Sequence, residues 1–123
     1  MTNRIIKFRA FHKKAQEMAN VDTIHLNGYV HLSPISKISN DSKMFKIDEI
    51  ELMQFTGLLD RNGKEIYDGD ILKDQDGNHD EVIWDEGCVF IKHQDGTSDF
   101  IAVRNYFEII GNIYENPELL TNK

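Results

Sequence analysis

From Lys64 to Tyr114 the apolar positions come in short runs with a period close to two. "KEIYDGDILK", "EVIWDE", "CVFIKH", "DFIAVR" and "FEIIGNIY" are each rich in β-branched or aromatic residues, and Gly, Asp and Asn fill the gaps between them. Side chains alternate across a strand, so this pattern predicts five short strands joined by tight turns, the arrangement of a small SH3-like barrel. On the same alternation Val82 and Trp84 share one face of their strand, and Phe107, Ile109 and Ile113 share one face of the last. These five are the candidate core. Upstream, Asp60 to Gly63 reads as a turn, and Asp68-Gly69-Asp70 as a bend in which Gly supplies freedom and Asp accepts bonds from the amides that follow.

The N-terminal part is less regular. "RIIKFRAF" has strand composition with imperfect alternation, and "HKKAQEMANV" fits either a short helix or a turn with a returning strand. In "DTIHLNGYVHL", Asn27-Gly28 lies between two β-prone runs, which predicts a two-residue type I′ hairpin. That closure pairs His25 with Val30 and Ile24 with His31, setting His25 and His31 on opposite faces, where they do not share a metal. Ser33 to Asp48 is polar and reads as a connecting loop. The chain is thus expected to be mainly β. Residues 1–48 supply a strand, an Asn-Gly hairpin and a loop, residues 49–120 supply the SH3-like barrel, and the two form one compact unit.

Length and charge narrow the setting. At 123 residues the chain has room for about one domain. Its single cysteine, Cys88, permits no internal disulfide, and no apolar run is long enough to span a membrane, so a cytoplasmic, membrane-free protein is expected. The net charge of -7 argues against a protein that coats nucleic acid nonspecifically. Its distribution is uneven: Met1 to Lys14 carries Arg4, Lys7, Arg9, Lys13 and Lys14 and no acid, whereas the remainder carries all 21 acidic residues. A basic head on an acidic body suits an anionic partner, or a contact with the chain's own acidic surface.

Reactive chemistry is sparse. Asp74-Gln75-Asp76-Gly77-Asn78 has its glycine too early for a calcium loop, and strands rather than helices flank it. Cys88 sits in a strand without a paired motif, and the five histidines show no zinc spacing. There is no Gly-rich phosphate loop and no nucleophile elbow. His79 and His93, near Asp80 and Asp95, are expected to be solvated turn residues. No catalytic residue, metal or cofactor is assigned, and the chain is expected not to be an enzyme. Trp84 either belongs to the core or offers a stacking surface to a partner.

Three blocks carry a resemblance: "RIIKFRAFHKKAQEM", "LMQFTGLLDRNGKEIYDGDIL" and "IIGNIYENPELL", in that order. The chain resembles the YopX family of small proteins encoded by bacteriophages and prophages. It departs at Phe11-His12, where the family often has Trp followed by Asp. The resemblance implies a phage or prophage origin, a mostly β fold with a barrel-like part, and a homo-oligomer; it supplies no activity and no catalytic residues. The expected function is that of a non-enzymatic accessory module that self-associates and contacts a host or phage macromolecule. Arg4, Lys7, Arg9 and Trp84 are the candidate partner-binding residues. The alternatives are nucleic-acid binding through the basic strand, and an acidic mimic of nucleic acid.

Overall fold

The computed structural model describes residues 6–33, 43–85, 88–100 and 107–120. The fold is mainly β. Among the described residues eleven strands follow one another: β1 (Phe8–His12), β2 (Glu17–Ile24), β3 (Tyr29–Leu32), β4 (Lys43–Lys46), β5 (Ile50–Leu59), β6 (Glu65–Tyr67), β7 (Asp70–Lys73), β8 (His79–Asp85), β9 (Cys88–Lys92), β10 (Ser98–Phe100) and β11 (Glu108–Asn112). The helical content of the described residues is two 3-10 turns, Ile47–Glu49 and Pro117–Leu120. The strands form two antiparallel sheets, with hydrogen-bond orders β4-β3-β2-β1-β5-β6 and β10-β9-β8-β7-β11. Among the described residues neither sheet closes into a barrel.

The chain divides into two compact units, Ile6–Gln54 and the residues from Phe55 on. In the first, Ala10, Ala19, Val30, Leu32 and Ile50 form a buried cluster against which Phe45 and Leu52 pack. Val30 and Leu32 are fully buried, each stabilising the unit by about 1.5–3 kcal/mol. Of the two readings of "HKKAQEMANV", the turn and returning strand is the one formed. The chain reverses over 13–16, with Gln16 at φ 56 and its N–H donating to the His12 carbonyl at 2.8 Å.

In the second unit Ile66, Leu72 and Val82 are buried, and Leu58, Val89, Phe107 and Ile109 pack against them. Three of the candidate core residues, Val82, Phe107 and Ile109, therefore meet in one cluster. Trp84 and Ile113 are half-buried. Of "DFIAVR", only Asp99 and Phe100 lie within the described residues, in β10.

The hairpin at Asn27-Gly28 is not the two-residue form. His25 N–H donates to the Tyr29 carbonyl at 2.8 Å and Gly28 N–H to the His25 carbonyl at 3.1 Å, which closes a three-residue loop of Leu26, Asn27 and Gly28. Gly28 is at φ 93, while Asn27 keeps negative φ. A type I turn with a glycine bulge needs one left-handed residue where type I′ needs two, so only the residue that adopts it without cost is used. The register moves accordingly: Ile24 faces Val30, and Thr23 faces His31, with Asp22 as an extra residue in β2.

Three further turns repeat this geometry. Gly63, Gly77 and Gly96, at φ 81, 85 and 94, each donate to the carbonyl three residues back at 3.0 Å. Asp74 Oδ1 accepts from Asp76 and Asn78 N–H, both at 2.9 Å, so the stretch that faintly resembled a calcium loop uses its first carboxylate to hold its own backbone. Ser33 to Asp48 also contains more than a loop. Lys43–Lys46 pairs with β3, Phe45 opposite the buried Val30. Two apolar residues between lysines give no alternation to read, so cross-strand pairing specifies this strand.

Candidate functional site

The basic head is partly built into the sheet. Arg4 lies outside the described residues. Lys7 is exposed just ahead of β1, and Arg9 is half-buried within it. β1 is an interior strand, with Arg9 opposite Asn20 of β2 on one side and Met53 of β5 on the other. Lys13 turns towards the chain itself: its Nζ donates to the Asp48 carbonyl at 3.1 Å and lies 3.5 Å from Glu51 Oε2. Trp84 faces Val89 across the β8–β9 ladder, and its backbone N–H donates to Asp68 Oδ1 at 3.2 Å. Lys7 and Arg9 belong to one compact unit and Trp84 to the other.

In Asp68-Gly69-Asp70, Asp70, 1% exposed, accepts the preceding Tyr67 N–H at 2.7 Å on Oδ2. Gly69, at φ 91, donates to the Val82 carbonyl and accepts from Ile113 N–H, both at 2.9 Å. The carboxylate thereby pins the turn from inside while the glycine ties it to β8 and to the end of β11.

A titratable pair with one buried member lies at the other end of β8. Val82 faces Ile91, and continuing that antiparallel register brings Asp80 beside His93, whose Nδ1 is 3.0 Å from Asp80 Oδ1. Asp80 is 1% exposed, and its Oδ2 makes no hydrogen bond among the described residues. Burial pushes this carboxyl above the usual aspartate range; His93 opposes that shift and the neighbouring Asp74 adds to it. Glu81, on the opposite face of the strand, is also raised by burial, with its cross-strand partner Lys92 opposing. His93 is therefore not the solvated turn residue expected from sequence.

Beside the pair, Glu81, Lys92, His93, Asp95 and Leu120 rim a depression of about 380 Å³. The C-terminal 3-10 turn borders it, held by a 2.7 Å bond between His79 Nδ1 and the Leu119 carbonyl and a 3.4 Å bond from Gln94 Nε2 to the Leu120 carbonyl. An aspartate that orients a histidine is one half of a general-base arrangement. Here the same bond spans the β8–β9 hairpin and fixes the 93–97 turn. Among the described residues no three His, Cys, Asp or Glu side chains are grouped to hold a metal. The shifted hairpin register sets His25 and His31 on the same face rather than on opposite ones, and they have separate neighbours: His31 Nδ1 is 3.3 Å from Asp22 Oδ2, and His25 Nε2 is 3.3 Å from Thr23 Oγ1.

A different feature marks the first unit. Ile24, Leu26, Tyr29, Met44 and Ile47 are large apolar residues left 46%, 108%, 36%, 47% and 43% exposed. Ile24, Leu26, Tyr29 and Ile47 lie towards one end of β2, β3 and β4, with Ile24 opposite Val30 on one face and Tyr29 and Met44 on the other. Tyr29 faces Lys46, Met44 faces His31, and Ile47 N–H donates to the Gly28 carbonyl at 2.9 Å. Sequence reading overlooked this group because its members are scattered through a hairpin and a polar segment. The one available signal was Leu26 inside a predicted turn, where a polar residue is the norm. Among the described residues no helix is long and apolar enough to cross a membrane.

Comparison with known proteins places this arrangement. The crystal structure of protein EF1440 from Enterococcus faecalis is similar at a TM-score of 0.69 and 28% identity, over 96% of this chain and 99% of that one. The protein yopX from Bacillus subtilis shares the fold at a TM-score of 0.60 and 19% identity, over 95% of this chain and 97% of its own. None of the curated proteins matches the chain. The family model described as YopX protein matches residues 7–121, nearly the whole sequence, and the chain belongs to the YopX family.

Proposed function

We propose that this chain is a non-enzymatic β-rich binding module of phage or prophage origin, which works in the bacterial cytoplasm by docking on another protein and self-associates. The observation that carries the docking role is the apolar end of the first unit. A fully exposed Leu26 at a turn tip, with Ile24 and Ile47 beside it, is costly to leave in water and characteristic of surfaces that become covered. The partner this chemistry fits is a protein that offers an apolar patch of its own. The second unit is read as an opened relative of SH3-like barrels, since β7 to β10 form a meander and β11 returns to β7. The Asp80–His93 bond is read as a structural tie rather than as catalytic machinery.

Nucleic-acid binding through Lys7 and Arg9 has weaker support, because β1 is an interior strand and Lys13 is engaged with acidic neighbours. The test is affinity capture from host lysate with the full chain, with and without nuclease, comparing the native protein with Leu26→Asp and with the Lys7→Glu/Arg9→Glu pair. Capture of a protein that survives nuclease and falls with Leu26→Asp supports docking. Retention that needs intact nucleic acid and falls only with the charge reversal would replace it with the nucleic-acid reading.

A further inference from the structure

Two Asn-Gly steps, Asn27-Gly28 and Asn62-Gly63, sit in turns of the same geometry, which makes their differences informative. We propose that Asn27 is a site of spontaneous backbone modification, converting through a cyclic imide to aspartate and isoaspartate, while Asn62 is protected by the fold. In this reaction the Gly28 nitrogen attacks the Asn27 side-chain amide carbon. The N–Cγ bond forms, the Cγ–Nδ2 bond breaks, and ammonia leaves carrying the proton that Gly28 gives up. Water then opens the ring at either carbonyl. No oxidant or reductant takes part.

The glycine amides do not discriminate between the sites, since each donates to the carbonyl three residues back, at 3.1 Å for Gly28 and 3.0 Å for Gly63. The asparagine side chains do. Asn27 Oδ1 accepts the Tyr29 N–H at 3.3 Å, which polarises the amide carbonyl and folds the side chain over its own turn, as an attack by the next residue's nitrogen requires. No such bond forms at Asn62 among the described residues. The turn anchors differ as well. Asp60 Oδ1 holds the Asn62 and Lys64 amides at 2.8 and 2.9 Å, and its Oδ2 holds the Ile109 amide at 3.0 Å. Turn 25–29 begins instead with His25 and contains no carboxylate. The Asp60 charge also opposes the deprotonated Gly63 nitrogen on which attack depends, since like charges held close in a partly buried site repel.

Conversion leaves a new carboxylate next to Leu26, in the apolar end of the first unit. Its effect on partner capture rests on the docking role proposed above; the modification itself does not.

The experiment is a time course of the folded full chain in mildly alkaline buffer, read by peptide mapping with mass spectrometry and an isoaspartate assay. A parallel sample in denaturant gives the intrinsic rate of each Asn-Gly step. Relative to its own denatured rate, Asn62 is expected to be slowed roughly tenfold or more beyond Asn27. Equal protection of the two sites, or faster loss of Asn62, would overturn the proposal. Asn27→Asp, tested in the capture assay, separates the two readings. If Asn27 converts yet Asn27→Asp leaves capture unchanged, the modification stands and its link to docking fails.

Discussion

Asp60 shows how much one side chain holds in this fold. It is 6% exposed, and its two oxygens take three backbone amides, two within its own turn and one from β11. Burial pulls its carboxyl upwards, but the bonds from Ile109, Lys64 and Asn62 outweigh that and hold it below the usual aspartate range. Asp60→Asn keeps the shape and gives up the charge-assisted bonds. Chemical denaturation at neutral pH is expected to show a loss of about 2 kcal/mol, and no measurable loss would refute the role. The pH dependence follows from the depressed folded value: the stabilisation is present above the unfolded aspartate pKa and disappears as pH falls through the lower folded value. Asp80, whose carboxyl is raised, acts in the opposite sense, so its ionisation costs stability as pH rises from the unfolded value through the folded one. Denaturation midpoints measured from neutral to acid pH should therefore fall less steeply in Asp60→Asn than in the native protein. They should fall more steeply in Asp80→Asn.

At the level of elements, the alternation in the second half of the chain was legible where one face of a short strand is buried, as in β8, where buried Asp80 and Val82 alternate with half-buried Glu81 and Ile83. Val82, Phe107 and Ile109 follow directly from it. The Asp80–His93 bond was legible in principle: in an antiparallel hairpin paired residue numbers have a constant sum, and Val82 opposite Ile91 already implies it. What hid it was reading the two residues as turn chemistry before fixing the register. β4 could not be read, since its pairing with β3 comes from Phe45 meeting Val30 and not from any pattern within Lys43–Lys46. Gly111 is a third case, a glycine required by space. A Cβ added there would lie 2.6 Å from Asn116 Oδ1 and 2.9 Å from Asn116 Cβ, and Asn116 itself closes the turn after β11 by accepting the Asn112 N–H at 3.2 Å. Gly111→Ala is expected to cost about 1–3 kcal/mol on denaturation, because the Asn116 backbone has to move with its side chain. Asn116→Gly in the same chain should recover part of that loss, and no recovery would show that the crowding lies elsewhere.

For the whole molecule, sequence predicted a mainly β chain and the order of most strands, but not the sheet arrangement. Open sheets and closed barrels share the same alternation. What separates them is pairing between distant segments, such as β11 with β7 and the Asp60 link to Ile109, and no local pattern encodes that. Function is the same problem at larger scale, because the -7 charge and its basic head favour no single partner class. Salt dependence discriminates where the charge count does not. A nucleic-acid ligand held by Z phosphate contacts loses affinity with a log–log slope of about -0.9Z in salt, so Lys7 and Arg9 alone would give roughly -2, and further contacts would steepen it. Docking through Leu26, Ile24 and Ile47 removes apolar surface from water and displaces few counterions, so its affinity should hardly change over the same range. Titrating the captured partner against the chain at several salt concentrations is expected to give a slope near zero. A slope of about -2 or steeper would move the binding surface from the apolar end to the basic strand.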